Sequence, residues 1–92
     1  MFYDKYLTEE EKELMKQNYS SIINGIDNDN ALKIIDILKD HKCDFINDLI
    51  INYLEIFLVK PKVFETRLTT LKEELGQTYM NIIENNLNLL VD

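Results

Sequence analysis

The sequence predicts an all-α fold of about five short helices, an N-terminal helix followed by two consecutive helical hairpins arranged as a bundle or a short α-solenoid. Three observations carry this expectation. Apolar residues recur at spacings of three and four along most of the chain, the period of one helix face. Helix caps and breakers separate the periodic stretches: Thr8-Glu9-Glu10-Glu11, the Asp27 to Asn30 run, Pro61 and Gly76. A composition of 46% hydrophobic and 29% charged residues is that of a folding globular chain. At 92 residues there is room for one domain, spanning 1–92, and a core that needs most of the available apolar side chains.

The elements follow in order. Residues 1–7 form an aromatic lead-in with Phe2, Tyr3 and Tyr6. Thr8 and Glu11 fit a capping box, each side chain satisfying an orphan backbone donor, so the first helix covers 8–25. Its inner face is Met15, Tyr19, Ile22, Ile23 and Ile26, and Gly25 is placed to supply a left-handed C-terminal turn. Ile26 to Asn30 reads as a loop whose Asp and Asn side chains compete with helix and then cap it. The first hairpin, 30–59, pairs a helix carrying Ala31, Ile34, Ile35 and Leu38 with a helix from Phe45 to Val59 capped by Asp44. That second helix is apolar around much of its girth, which makes it central in a bundle, or a binding surface wherever it is left uncovered. Pro61 opens the second hairpin, 61–91, with Phe64, Leu68, Leu71 and Leu75 on its first helix. Gly76 stops that helix. Thr78 caps the last one, which runs to the C-terminus through Tyr79, Ile82, Ile83, Leu87 and Leu90.

The two hairpins align at a shift of 33 positions. Ile35 falls on Leu68, Leu38 on Leu71, Lys39 on Lys72, Leu49 on Ile82, Ile50 on Ile83, Asn52 on Asn85 and Leu54 on Leu87. Two-helix repeats with periods in the thirties are what helical solenoids use. Glycine and proline punctuation is not shared, since Cys43 stands where Gly76 would be. Within residues 58–90, Pro61, Arg67, Leu68, Leu71, Leu75, Gly76, Ile82, Ile83, Leu89 and Leu90 follow one another as proline, a helix with Arg and Leu positions, glycine, and a helix ending in paired leucines. In this stretch the chain resembles the helical repeat of mitochondrial transcription termination factors. The resemblance implies a curved stack of hairpins, which in that family binds nucleic acid.

Charge points the other way. Lys+Arg 10 against Asp+Glu 17 makes the net charge −7, which repels polyanions and disfavours DNA, RNA and anionic membranes as partners. Glu9, Glu10, Glu11 and Glu13 crowd one helix start, and Lys60, Lys62, Arg67 and Lys72 form the one candidate basic patch. Only that patch fits a helix-turn-helix reader, because the helix after His41-Lys42-Cys43 opens Asp44-Phe45-Ile46-Asn47-Asp48, acidic and apolar. The single cysteine, the absence of a secretory signal and the lack of a run of ~20 apolar residues are the pattern of a cytoplasmic, non-membrane protein.

No constellation for catalysis or metal binding is legible, so no enzyme activity and no cofactor is expected. His41 and Cys43 are each the only residue of their kind, which leaves no Cys/His zinc set. Asp27-Asn28-Asp29-Asn30 begins like a calcium loop and then breaks at Ala31, Leu32 and Leu38, where a ligand, a glycine and a glutamate are needed. The function expected is a non-catalytic protein–protein interaction module, a small acidic adaptor or regulator that binds another protein or itself as a homodimer. Its contact would be the groove between the third helix and its neighbours, or a surface formed by Tyr53, Phe57 and Phe64. The alternatives are a nucleic-acid-binding helical-repeat protein and an acidic inhibitor or antitoxin occupying a basic site on its target.

Overall fold

Thr8 sets the start of the first helix. In the computed structural model, which describes residues 1–91, its hydroxyl accepts from the Glu11 amide at 3.1 Å and its own amide donates to Glu11 Oε1 at 2.8 Å. Both halves of the capping box are made, and α1 (Glu9–Gly25) begins with three glutamates in the turn where the helix dipole favours negative charge. Gly25 does not adopt the left-handed turn expected of it. The helix ends in extended Ile26, whose N–H donates to the Ile23 carbonyl at 3.1 Å, because Asp27 immediately caps α2 (Asn28–Asp40) by accepting from the Asn30 amide at 3.0 Å. The lead-in belongs to the core: Phe2, Tyr3 and Leu7 are buried, and the Phe2 ring lies 5.1 Å from that of Phe57.

The periodic stripe of α2, Ala31, Ile34, Ile35 and Leu38, is buried throughout. Its C-terminus closes with Cys43 N–H donating to the Leu38 carbonyl and Lys42 N–H to that of Lys39, both at 2.9 Å, the two bonds of a Schellman turn. Lys42 takes the left-handed position (φ 61°), where glycine is the residue without steric cost.

The next segment departs from the expected single helix over 45–59. Here α3 (Ile46–Asn52) stops after seven residues, Tyr53 breaks it (φ −138°, ψ 51°), and a 3-10 helix covers Leu54–Leu58. Asp44 is not its cap; Phe45 occupies that position with no side-chain bond. Leu49, Ile50, Leu54, Ile56 and Phe57, on either side of the break, are all buried at 3% exposure or less.

Extended Lys60 leads into Pro61 at the first turn of α4 (Pro61–Leu75), as the restriction on pre-proline residues requires. Gly76 ends α4 at φ 83°, ψ −163°, a region open in practice only to glycine. Then α5 (Tyr79–Asn85) runs for seven residues, Asn86 breaks it (φ −144°, ψ 67°), and a second 3-10 helix spans Leu87–Leu90. Thr78 sits at the cap position without making a side-chain bond, and the last helix is again shorter than its periodicity suggested.

The result is all-α, with five α-helices, two 3-10 helices and no strand among the described residues. The 33-residue shift holds for the backbone: α2 and α4 begin at 28 and 61, α3 and α5 cover 46–52 and 79–85, the breaks fall at 53 and 86, and the 3-10 helices begin at 54 and 87. Each unit is therefore helix, helix, break, 3-10 helix. The two units pack chiefly through α2 against α4, while α1 lies against the first 3-10 helix. The core is continuous from Phe2 to Leu90, with Phe57 and Phe64 fully buried.

Two substitutions separate backbone strain from packing. Lys42→Gly should stabilise the protein by about 0.5–1 kcal/mol by relieving the left-handed strain. Gly76→Ala should destabilise it by about 1–3 kcal/mol, although a Cβ there meets no atom within 4 Å. Urea denaturation of both variants checks the pair, and an unchanged midpoint for Gly76→Ala would contradict the assigned φ.

Candidate functional site

The aromatic surface expected at Tyr53, Phe57 and Phe64 does not exist as a surface. Phe57, on the first 3-10 helix, and Phe64, on α4, are 0% exposed, and Tyr53 is half-buried. Phe57 packs against Phe2 of the lead-in.

Of the four cations in the candidate basic patch, Lys60, Lys62 and Lys72 are exposed and Arg67 is half-buried. Arg67 Nη1 donates to the Leu90 carbonyl at 2.6 Å, closing the C-terminus of the second 3-10 helix. The first unit does the equivalent with a neutral side chain: Asn30 Nδ2 donates to the carbonyls of Phe57 (3.1 Å) and Val59 (3.0 Å). Phe57 and Leu90 are 33 positions apart, so each unit uses its leading helix to satisfy carbonyls that a short helix leaves without partners. Arg67 is thereby a structural clamp. Lys60 and Lys62 remain beside Val63 and Thr66 around a shallow depression, with Glu65 on the same helix.

His41 joins the two units. Its Nδ1 lies 2.7 Å from the Tyr79 hydroxyl and its Nε2 3.2 Å from Glu65 Oε1, and its ring meets the Tyr79 ring edge-on at 5.8 Å. Neutral imidazole satisfies this arrangement when Nε2–H donates to Glu65 and Nδ1 accepts from the Tyr79 O–H. Burial, with the Glu65 charge adding to it, pushes the Tyr79 phenol above its ordinary range, which keeps that O–H a donor. Cys43 is buried nearby in sequence, and desolvation pushes its thiol up to about 11, so little thiolate forms at neutral pH. Among the described residues, no three His, Cys, Asp or Glu side chains gather where they could hold a metal ion.

The groove expected beside the third helix lies between α1 and α3. It is a shallow cleft of about 310 Å³ lined by Leu14, Met15, Asn18, Tyr19, Ile51 and Asn52, with Glu11 at its edge. Leu14 and Tyr19 are 53% and 42% exposed, large apolar side chains open to solvent beside buried Met15. Sequence periodicity placed Tyr19 on the inner face of α1. The backbone kink at Tyr19 itself (φ −132°, ψ 29°) turns it outward. Leu14 lies outside that stripe and is missed by sequence periodicity; an apolar residue off the core face is the signal that could have found it. The glutamates Glu10 and Glu13, both exposed, project from the same helix as the cleft's first wall.

No family model, curated protein or solved structure matches this chain. Among the described residues, no helix is long and apolar enough to cross a membrane.

Arg67→Ala should lower stability by about 1.5–3 kcal/mol, since it removes a charge-assisted bond to a half-buried carbonyl, while Lys72→Ala should change it by less than about 0.5 kcal/mol. Thermal denaturation of the two variants side by side tests whether Arg67 is structural. Native Cys43 should react with a thiol reagent at pH 7 far more slowly than the urea-unfolded chain. Equal rates would show that the thiol is neither buried nor shifted.

Proposed function

We propose that this chain is a non-catalytic protein–protein interaction module, a small acidic adaptor or regulator acting in the cytoplasm. It takes an apolar segment with basic flanks from another protein into the cleft between α1 and α3. The observation that carries this reading is the cleft itself. Leu14 and Tyr19 stand exposed on a helix that also presents Glu10 and Glu13, next to Met15 and Ile51. An amphipathic helix laid in an apolar groove is a recurrent mode of peptide recognition, and a net charge of −7 steers a basic partner toward it. An acidic inhibitor that occupies a basic site on its target is a special case of the same chemistry.

Nucleic-acid binding through stacked hairpins has less support. The 33-residue recurrence of helix, helix and 3-10 helix favours the stacked-hairpin part of the resemblance to mitochondrial transcription termination factor repeats. The cation supply does not favour the ligand, because Arg67 is committed to the Leu90 carbonyl and Glu65 lies on the same helix as Lys62. A phosphate-binding stripe requires several uncommitted cations on one surface.

Affinity purification from native extract, with and without nuclease, distinguishes the readings. A partner protein should be retained after nuclease treatment, released progressively as salt rises, and lost from Leu14→Glu and Tyr19→Ala variants that keep wild-type helicity. Recovery that disappears with nuclease, or that is equal for both variants and wild type, would overturn the assignment of the cleft.

A further inference from the structure

Gly25 is a glycine that the backbone does not require. Its φ lies outside the left-handed region, and a Cβ added to it would meet no atom within 4 Å, so the fold would accept alanine there. What the missing Cβ does is leave the Gly25 backbone nitrogen open to the side chain that precedes it. That side chain is Asn24, which alone of the ten asparagines stands before a glycine. Both residues are exposed. The side chains of Asn28, Asn30, Asn85 and Asn86 are instead held in hydrogen bonds.

The pair also sits where α1 opens most easily. The helix is kinked at Tyr19, so residues 20–25 form a short terminal piece in which Ile23 is the buried side chain. Its last turn, Ile22-Ile23-Asn24-Gly25, carries no cation to hold the terminal carbonyls, and the chain leaves the helix at once through extended Ile26. Terminal turns are the parts of a helix that fray at least cost. Opening this one frees the Gly25 N–H from the helix and lets its nitrogen approach the Asn24 carboxamide.

We infer that Asn24-Gly25 is a self-modification site, at which the chain converts its own asparagine to aspartate and isoaspartate in water. The Gly25 nitrogen, its proton lost to hydroxide, attacks Asn24 Cγ; the N–Cγ bond forms, the Cγ–Nδ2 bond breaks and ammonia leaves. The cyclic succinimide then takes up water. Opening at Cγ gives aspartate, and opening at the main-chain carbonyl gives isoaspartate, in which the chain runs through the side-chain carbon. Either product places a new carboxylate at the C-terminal end of α1, where the helix dipole disfavours it, just ahead of the Asp27 cap. Isoaspartate also lengthens the backbone between Ile23 and Ile26, both 8% exposed. Those two side chains dock the end of α1, so the conversion loosens that end. The site is independent of what the α1–α3 cleft binds.

Incubating the folded chain at pH 8, with peptide mass mapping and an isoaspartyl methyltransferase assay as readouts, tests this. Asn24 should convert at least about ten times faster than any other asparagine, and Gly25→Ala should slow it by at least about tenfold, since a Cβ at 25 obstructs the attack. Alanine favours the helix and meets no neighbour, and circular dichroism checks that this variant is folded. Aged wild type should unfold at lower urea than fresh protein, and aged Gly25→Ala should not. Asn24 that converts in the urea-unfolded chain but stays intact in the native one, conversion led by another asparagine, or an equal rate in Gly25→Ala would each overturn the inference. A converted chain as stable as the fresh one would overturn the loosening of α1.

Discussion

Each unit ends its second helix after seven residues, at Tyr53 and again at Asn86, and a helix that stops inside a packed core leaves backbone carbonyls that must find partners elsewhere. Once α3 and α5 break, each is followed by a 3-10 helix whose last carbonyls have no partner of their own. Asn30 and Arg67 reach across from the leading helix of each unit to supply the missing donors. The same job is done by different residue types at sites that are not equivalent in sequence. What recurs between the units is thus the problem set by a short buried helix and not one particular side chain.

The joint between the units is made by one histidine. His41 caps the C-terminal end of α2 and bonds to α4 through Glu65 and to α5 through Tyr79. Both imidazole nitrogens and the Tyr79 hydroxyl have a partner, consistent with the absence of buried unpartnered side-chain nitrogens and oxygens among the described residues. A small domain has few spare kilocalories, so a half-exposed joint that is fully hydrogen-bonded costs less than the same groups left open.

The first turns of α1 gather Glu9, Glu10, Glu11 and Glu13, the run from Asn85 to Val91 carries no charge, and the cleft sits where α1 meets α3. The cleft's exposed apolar side chains, Leu14 and Tyr19, thus share a helix with those glutamates.

The fold class and the ends of several helices were legible in the residues because those features are local. A capping box at Thr8 and Glu11, proline in the first turn of α4 and glycine after Leu75 each act on their own backbone neighbours, so composition and spacing suffice to read them. The stripe of α2 was legible for the same reason. The candidate contact residues were not. Phe57 belongs to a segment expected as one straight helix and Phe64 to the helix after Pro61, and only their packing in the core, Phe57 against Phe2, decided that neither faces water. Arg67 was counted among free cations because its partner, the Leu90 carbonyl, lies 23 positions away and no sequence spacing announces a backbone acceptor. The sequence by itself determined the helices, their period of 33 and the sign of the charge, all properties of neighbouring residues. Only the tertiary structure decided which apolar side chains face water, because exposure depends on what distant segments cover.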